Sequence, residues 1–294
     1  MKQLAFIKRS SGRHWVGDGF PVQSIFSYND AAEALSPFLL MDYAGPAHFP
    51  PTDKKLGVGQ HPHRGFETVT IVYEGGVSHR DSSGGGGTIG PGDVQWMTAA
   101  SGVMHEEFHS EDYARHGGPF EMVQLWVNLP AKDKMAAPAY QGITANQIPT
   151  VNLRDGAGTA RIIAGTHGAT QGPAHTFTPM NVWDMRLLAS HALTLPLTEG
   201  HTAALFVLRG SLRIGSHTIR ANELAVMTRE GSTLSAEIVE DAVVLLLSGK
   251  PIDEPIVGRG PFVMNTPEEI MQAMRDFGSG KFGQIALHPS AVRS

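Results

Sequence analysis

Residues 57–107 read GVGQHPHRGFETVTIVYEGGVSHRDSSGGGGTIGPGDVQWMTAASGVMHEE, and two short pairs within them, His61 with His63 and His105 with Glu107, decide how the chain is understood. In an extended strand side chains alternate faces, so the members of an i, i+2 pair project from the same side. Each pair is therefore a pincer. A fold that lays the first strand near the second in a barrel brings three imidazoles and one carboxylate together in its lumen. That donor set has no thiolate and suits a divalent transition metal such as Fe, Mn, Ni, Cu or Zn. A six-coordinate ion held by four side chains keeps two positions for water, dioxygen or substrate, whereas structural sites are closed. Chance alone produces some His-x-His in a chain with 14 histidines. The second pair, about forty residues on, is what gives the first its weight.

Working outward, Glu67–Glu74 reads as a strand that ends at the Gly75-Gly76 turn, with Val77–Arg80 as its partner. Ser82–Gly87 is a Ser-Ser-Gly-Gly-Gly-Gly run, expected to be a mobile hairpin loop. It is not a phosphate cradle, because no helix-forming segment with Lys-Ser or Lys-Thr follows. Pro91-Gly92-Asp93 is a turn, Val94–Met97 a strand and Ala99–Gly102 another turn. Phe120–Asn128 puts Met122, Gln124, Trp126 and Asn128 on one parity and closes the first barrel. Gln124, Trp96 and Met97 are candidate cavity-lining residues, with core packing the equally good reading. Residues 4–9 suit an edge strand, and the segment from there to about residue 55 reads as irregular, with one buried run at Phe38–Met41.

The chain has 294 residues, 41% hydrophobic and 17% charged, which fits two domains able to bury their own cores. The composition, with 34 Gly and 19 Pro, favours a turn-rich all-β architecture. No cysteine is present, so disulfides, thiolate metal sites and cysteine nucleophiles are excluded. A net charge of −5 without any basic run argues against direct nucleic-acid binding. The apolar run within Met1–Arg9 is too short for a signal peptide or a membrane span, and no span follows, so a cytoplasmic protein without membrane contact is expected. Proline and charge cluster over residues 129–150, which places the domain junction there. The expected domains are 1–135, holding the metal, and 136–294, a degenerate copy. In that copy Gly210, Gly215 and Ala221–Leu224 echo Gly75, Gly90 and Pro91–Val94. Both pincers are missing from it, and the isolated His201 reads as a surface or hydrogen-bonded residue. Thr266-Pro267-Glu268-Glu269 forms a capping box, and Ile270, Ala273, Met274 and Phe277 make the apolar stripe of a short C-terminal helix that ends at Gly278.

Five ordered motifs, His61–Thr68, Pro91–Ala99, Gly102–Glu107, Gln124–Leu129 and Gly260–Thr266, give the chain a resemblance to the pirin family across both halves. The resemblance implies two cupin (double-stranded β-helix) barrels packed face to face, of which the N-terminal one binds metal. Carried over by position, the ligands are His61, His63, His105 and Glu107, around Fe(II), with Mn, Ni, Cu, Co or Zn as alternatives. In the general cupin pattern the Glu a few residues after His-x-His is itself a ligand, and Glu67 shares parity with His61 and His63 if the strand stays regular. Gly65 breaks that register, and the resemblance assigns the carboxylate to Glu107, so Glu67 is placed behind the ligands. Glu106 and Arg64 have the opposite parity and should face outward, Arg64 toward a carboxylate. His79 and His109 are expected at the rim, where either can meet a substrate hydroxyl.

Several bacterial pirins are similar in activity to quercetin 2,3-dioxygenase, and animal members are nuclear transcription cofactors and redox sensors. The resemblance thus implies a metal-dependent dioxygenase that cleaves a flavonol with O2 and releases CO. Glu107 is then both ligand and general base toward the flavonol 3-hydroxyl. The alternative it offers is a non-catalytic, redox-sensitive iron protein that docks a protein partner. Two mutually packed barrels are complete as a monomer.

Overall fold

A computed structural model describes residues 1–10 and 12–285. Strands dominate, because short β-branched and apolar runs are cut repeatedly by Gly and Pro. Among the described residues no helix is long and apolar enough to cross a membrane. The chain divides into two compact units, each assembled from separate segments. One comprises His14–Val22, Tyr43–Gly142 and the chain from Glu254 onward; the other comprises Met1–Arg13, Gln23–Asp42 and Ile143–Asp253. Relative to a single cut between residues 135 and 136, residues 1–13 and 23–42 side with the second half, while 136–142 and the segment from 254 side with the first.

In the unit that carries the pincers, a four-stranded sheet runs in the order Gly57–His63, Val103–His109, Val77–Asp81, Gly86–Ile89. Facing it is the sheet that contains Val94–Thr98, Phe66–Glu74 and Gly118–Asn128 as neighbours. The segment expected to be irregular forms strands Arg13–Val16, Phe20–Phe26 and Phe38–Phe49, of which residues 14–16, 20–22 and 43–49 belong to this unit, and the helix Ala32–Leu35, which belongs to the other. Its Pro and Gly residues obscured the pattern, although Phe20, Val22, Ile25 and Phe26 are all buried. Phe20, Val77, Ile89, Tyr113 and Phe120 form an apolar cluster in this unit. Burying each such side chain contributes about 1.5–3 kcal/mol.

In the other unit, two long strands, Thr202–Ile214 and Thr233–Gly249, anchor a nine-stranded sheet. Arg209-Gly210 lies inside the first of them as a bulge. Gly210 has φ +76°, and the pairing shifts register on both sides of Arg209. Trp183, Met185, Leu205 and Leu246 are among the large side chains packed into this unit's core.

The C-terminal helix spans Pro267–Gly278. The Thr266 hydroxyl accepts from the Glu269 amide at 3.2 Å while the Glu269 carboxylate accepts from the Thr266 amide at 3.0 Å, the reciprocal bonds of a capping box. Ile270 and Ala273 pack on Phe262, Met264 and Phe282. Met274 and Phe277, expected in the same stripe, stay 41% and 42% exposed.

Candidate metal centre

The first pincer lies on Gly57–His63 and the second on Val103–His109, and these strands pair antiparallel with His61 opposite His105 and Val103 opposite His63. Directly opposed residues share a face. The strand period and the cross-strand pairing thus turn two sequence pairs into one cluster. The ligand-capable atoms of His61, His63 and His105 all lie within 4.8 Å of one another.

The three rings are prepared to donate lone pairs. His61 Nδ1 lies 2.8 Å from the Gly59 carbonyl; as donor in that bond it carries the ring proton and leaves Nε2 free. His63 Nδ1 and both nitrogens of His105 are buried without a hydrogen-bond partner. Burial holds all three imidazoles below the usual histidine range, His63 and His105 far below it. Neutral imidazole is the form a metal requires. Unpartnered buried nitrogens each cost about 1–3 kcal/mol. An ion held between these nitrogens would offset that cost, so the residues present fit a divalent metal.

Glu107 stands on the same strand and face, two residues beyond His105. The pairing slips between them, from His105 opposite His61 to Glu107 opposite Val58. Its carboxylate is not part of the group within 4.8 Å. Instead Glu107 Oε1 accepts from the Thr70 hydroxyl at 3.3 Å, and that hydroxyl also lies 3.0 Å from the side-chain oxygens of Gln95 and Gln124. One hydroxyl has one proton. Gln95 Nε2 is itself buried and unpartnered, so turning this amide end for end lets it donate to Thr70 and leaves the hydroxyl proton to be shared between Gln124 Oε1 and Glu107. Burial raises the Glu107 carboxyl to about 7, against the downward pull of Thr70.

Glu67 is buried behind the cluster. Gly65 adopts φ +92°, the left-handed region, and breaks the alternation between His63 and Phe66. Phe66, Thr68 and Thr70 then face the ligands while Glu67 turns away, accepting from the Thr98 hydroxyl at 2.7 Å. Burial raises its carboxyl to about 7, with Thr98 and Trp96 pulling it back. Arg64 also points away: it donates to the Ser101 carbonyl at 2.6 Å and pairs with Asp276 at 2.9 Å. Glu106 pairs outside with Arg80 and Lys55. On that outer face a cleft of about 1140 Å³ opens, lined by Ser78, Arg80, Glu106 and Phe108 among others.

Neither further histidine is at the rim. His79, 1% exposed, lies opposite Glu107 on Val77–Asp81, and its ring is 6.0 Å from that of His105. The Tyr140 hydroxyl is 2.8 Å from His79 Nε2. His109 is sealed in by Phe20, Phe49, Tyr113 and Phe120, with Nε2 2.9 Å from the Gly19 carbonyl. Both rings follow the inward parity of their strands, and the neighbouring strands cover them. Of the candidate lining residues, Gln124 and Met97 are cross-strand partners of Thr70 and Thr68 on the inner face, whereas Trp96 pairs with Val69 on the outer one. Phe66 and Trp126, stacked at 4.2 Å, form the wall beside His63. Trp126 shares the parity of Gln124 and was legible from it. Tyr140 sits in the proline-rich junction, where no periodicity marks it.

A family model described as Pirin matches residues 19–127, and one described as Pirin C-terminal cupin domain matches residues 182–283. A Pseudomonas aeruginosa protein provisionally named quercetin 2,3-dioxygenase is 57% identical over 282 residues, covering 96% of this chain and 99% of its own. Human pirin is 37% identical over 259 residues, covering 85% of this chain and 83% of its own. A crystal structure described as quercetin 2,3-dioxygenase from Acinetobacter baumannii superposes with a TM-score of 0.94 at 52% identity, covering 97% of this chain and 100% of that one.

Proposed function

The chain belongs to the pirin family, an all-β cupin fold with a short C-terminal helix, and on that premise we propose that it is a metal-dependent dioxygenase. Its substrate in this reading is a flavonol such as quercetin, cleaved with O2 and with release of CO. His61, His63, His105 and Glu107 hold the ion, Fe(II) in the reading we favour. The observation that carries the proposal is the set of three imidazoles, His63 and His105 buried and His61 half-buried, whose ligand atoms gather within 4.8 Å.

A bound ion supplies Lewis acidity and a template for the flavonol oxygens. The chain supplies the rest. Glu107, a buried carboxylate on the same face as His105, is the group placed to take the proton of the substrate 3-hydroxyl. Thr70 and Gln95 orient that carboxylate. The stacked Phe66 and Trp126 offer a flat apolar wall suited to an aromatic ring system and exclude water from it.

Two measurements on one sample test this reading. Protein reconstituted anaerobically with Fe(II) is expected to hold about one ion per chain by elemental analysis. It should then consume O2 and evolve CO only when quercetin is added. Full iron occupancy with no quercetin-dependent O2 uptake would overturn the dioxygenase in favour of the partner-docking alternative that similarity to human pirin raises.

A further inference from the structure

Within the glycine run at residues 84–87, Gly85 and Gly87 lie against Tyr140, which leads to the centre. Asp81 Oδ1 accepts from the amides of Ser83 and Gly85 at 2.7 and 3.1 Å, folding the turn tightly on itself. A Cβ on Gly85 would stand 2.9 Å from Tyr140 Cβ, one on Gly87 3.4 Å from the Tyr140 hydroxyl, and one on Gly142 3.2 Å from the same oxygen. These glycines clear a bed for the Tyr140 side chain. Lying there, Tyr140 reaches His79 Nε2 at 2.8 Å.

His79 is placed with the ligands. It lies opposite Glu107 in the Val77–Asp81 pairing, so its ring is on the ligand side of the sheet, 6.0 Å from the ring of His105. Its second nitrogen, Nδ1, is buried with no partner. A phenol O–H is a better donor than an imidazole N–H, and an imidazole nitrogen a better acceptor than a phenol oxygen. Tyr140 therefore donates into Nε2, and the single proton of the neutral ring sits on Nδ1. Buried donors without acceptors are rare enough to call for an explanation.

We propose that His79 is a substrate-contacting residue and Tyr140 its positioning residue, which together present a buried Nδ1–H to a carbonyl or enolate oxygen of the bound flavonol. This rests on the reading of the centre as a flavonol site. The assignment accounts for the room left beside Tyr140 at Gly85 and Gly87, the Tyr140–His79 bond and the unfilled nitrogen by one requirement.

The test uses the full chain loaded with Zn(II) under argon, so that binding is read without turnover. In long-range 1H–15N spectra of the imidazoles, wild-type His79 is expected as the Nδ1–H tautomer, and Tyr140→Phe should release it toward Nε2–H. Titration with quercetin, followed by its visible absorption, should show affinity at least tenfold weaker for His79→Phe. Tyr140→Phe, which alters only a half-buried hydroxyl and keeps the ring on its bed, should bind three- to tenfold more weakly at full zinc occupancy. A wild-type Nε2–H tautomer, or a Tyr140→Phe protein that binds quercetin as wild type does, would overturn the proposal. Zinc-loaded wild type that ignores quercetin overturns the flavonol reading and the substrate contact with it, a result recognised by the absent wild-type titration.

Discussion

The ammonium of Lys134 donates to the carbonyl of Gly65 at 2.7 Å, two residues beyond His63. It also donates to Asn128 Oδ1 at 2.7 Å and to the Val263 carbonyl at 3.0 Å, so one buried cation ties three segments together behind a candidate ligand. Lys134→Met leaves three acceptors without a donor while removing a buried charge, and is expected to destabilise the protein by about 1–3 kcal/mol. The pH dependence is more telling. Burial pulls the ammonium down from 10.5 to about 7, opposed by Glu254 and Glu269. Below 7 both folded and unfolded chains carry the proton, and the full penalty of burying it is present. Between 7 and 10.5 the unfolded chain binds more protons than the folded one, so the stability contributed by this group rises with pH. Urea denaturation of wild type and variant at several pH values should show the wild type gaining on the variant from pH 7 toward 10. Parallel curves would sink the assignment.

Glu107 as a ligand makes a proton-counting prediction. Burial holds His63 and His105 far below the usual histidine range and lowers His61 as well, so the imidazoles release fewer protons on binding an ion than free histidines would. A carboxyl with a pKa of about 7 is mostly protonated at pH 6.5 and must lose its proton to coordinate. Divalent metal added at pH 6.5 should therefore release roughly three quarters of a proton per ion, measured calorimetrically in two buffers of different ionisation enthalpy. Glu107→Gln should release far less and bind about 10- to 100-fold more weakly. A wild type that releases no proton would leave Glu107 outside the coordination sphere.

How much of this was legible beforehand depended on the range of the information. The clustering of His61, His63 and His105 followed from strand period and the pairing of two nearby strands, both of which sequence spacing encodes. The capping box at Thr266 is encoded in four consecutive residues and formed as read. The strands between residues 13 and 49 were missed because Pro21, Pro46 and several glycines interrupt them, and neighbouring strands supply the order that local propensity does not. Tyr140 meeting His79 joins residues 61 positions apart, and Lys134 meeting Val263 joins residues 129 apart. Contacts of that span leave no periodic trace. The burial of His79 and His109 was missed for a related reason: parity gave the face of each side chain but not what covers it.

Removal of His105 tests the cluster most directly. Its two nitrogens are both buried and unpartnered, so it contributes a cost to the metal-free fold and its value is realised with an ion in place. His105→Ala is expected to lower iron affinity by more than about 100-fold, well beyond the effect of losing an outer-sphere partner. Quercetin-dependent O2 uptake should fall in parallel. A His105→Ala protein that retains stoichiometric iron and cleaves quercetin at the wild-type rate would refute the centre.

Gly65 joins backbone geometry to the site. At φ +92° it occupies a region that L side chains rarely adopt, and a Cβ there would run into the carbonyl of Val263. The left-handed conformation alone costs about 1–2 kcal/mol for a non-glycine residue. The obstacle is backbone on a neighbouring strand, so relief requires moving either Phe262–Met264 or the Arg64–Gly65 link that follows His63. Gly65→Ala should therefore destabilise the fold by about 3 kcal/mol or more and weaken metal binding together, because the same displacement unseats His63 from its neighbours. Gly59→Ala is the matched control. Its carbonyl holds His61 Nδ1, yet a Cβ there meets nothing within 4 Å, so stability should stay within about 0.5 kcal/mol and metal affinity should be unchanged. Thermal denaturation and metal titration on the two variants separate the cases. Equal behaviour of the two alanines would show that the turn after His63 has no part in setting the centre.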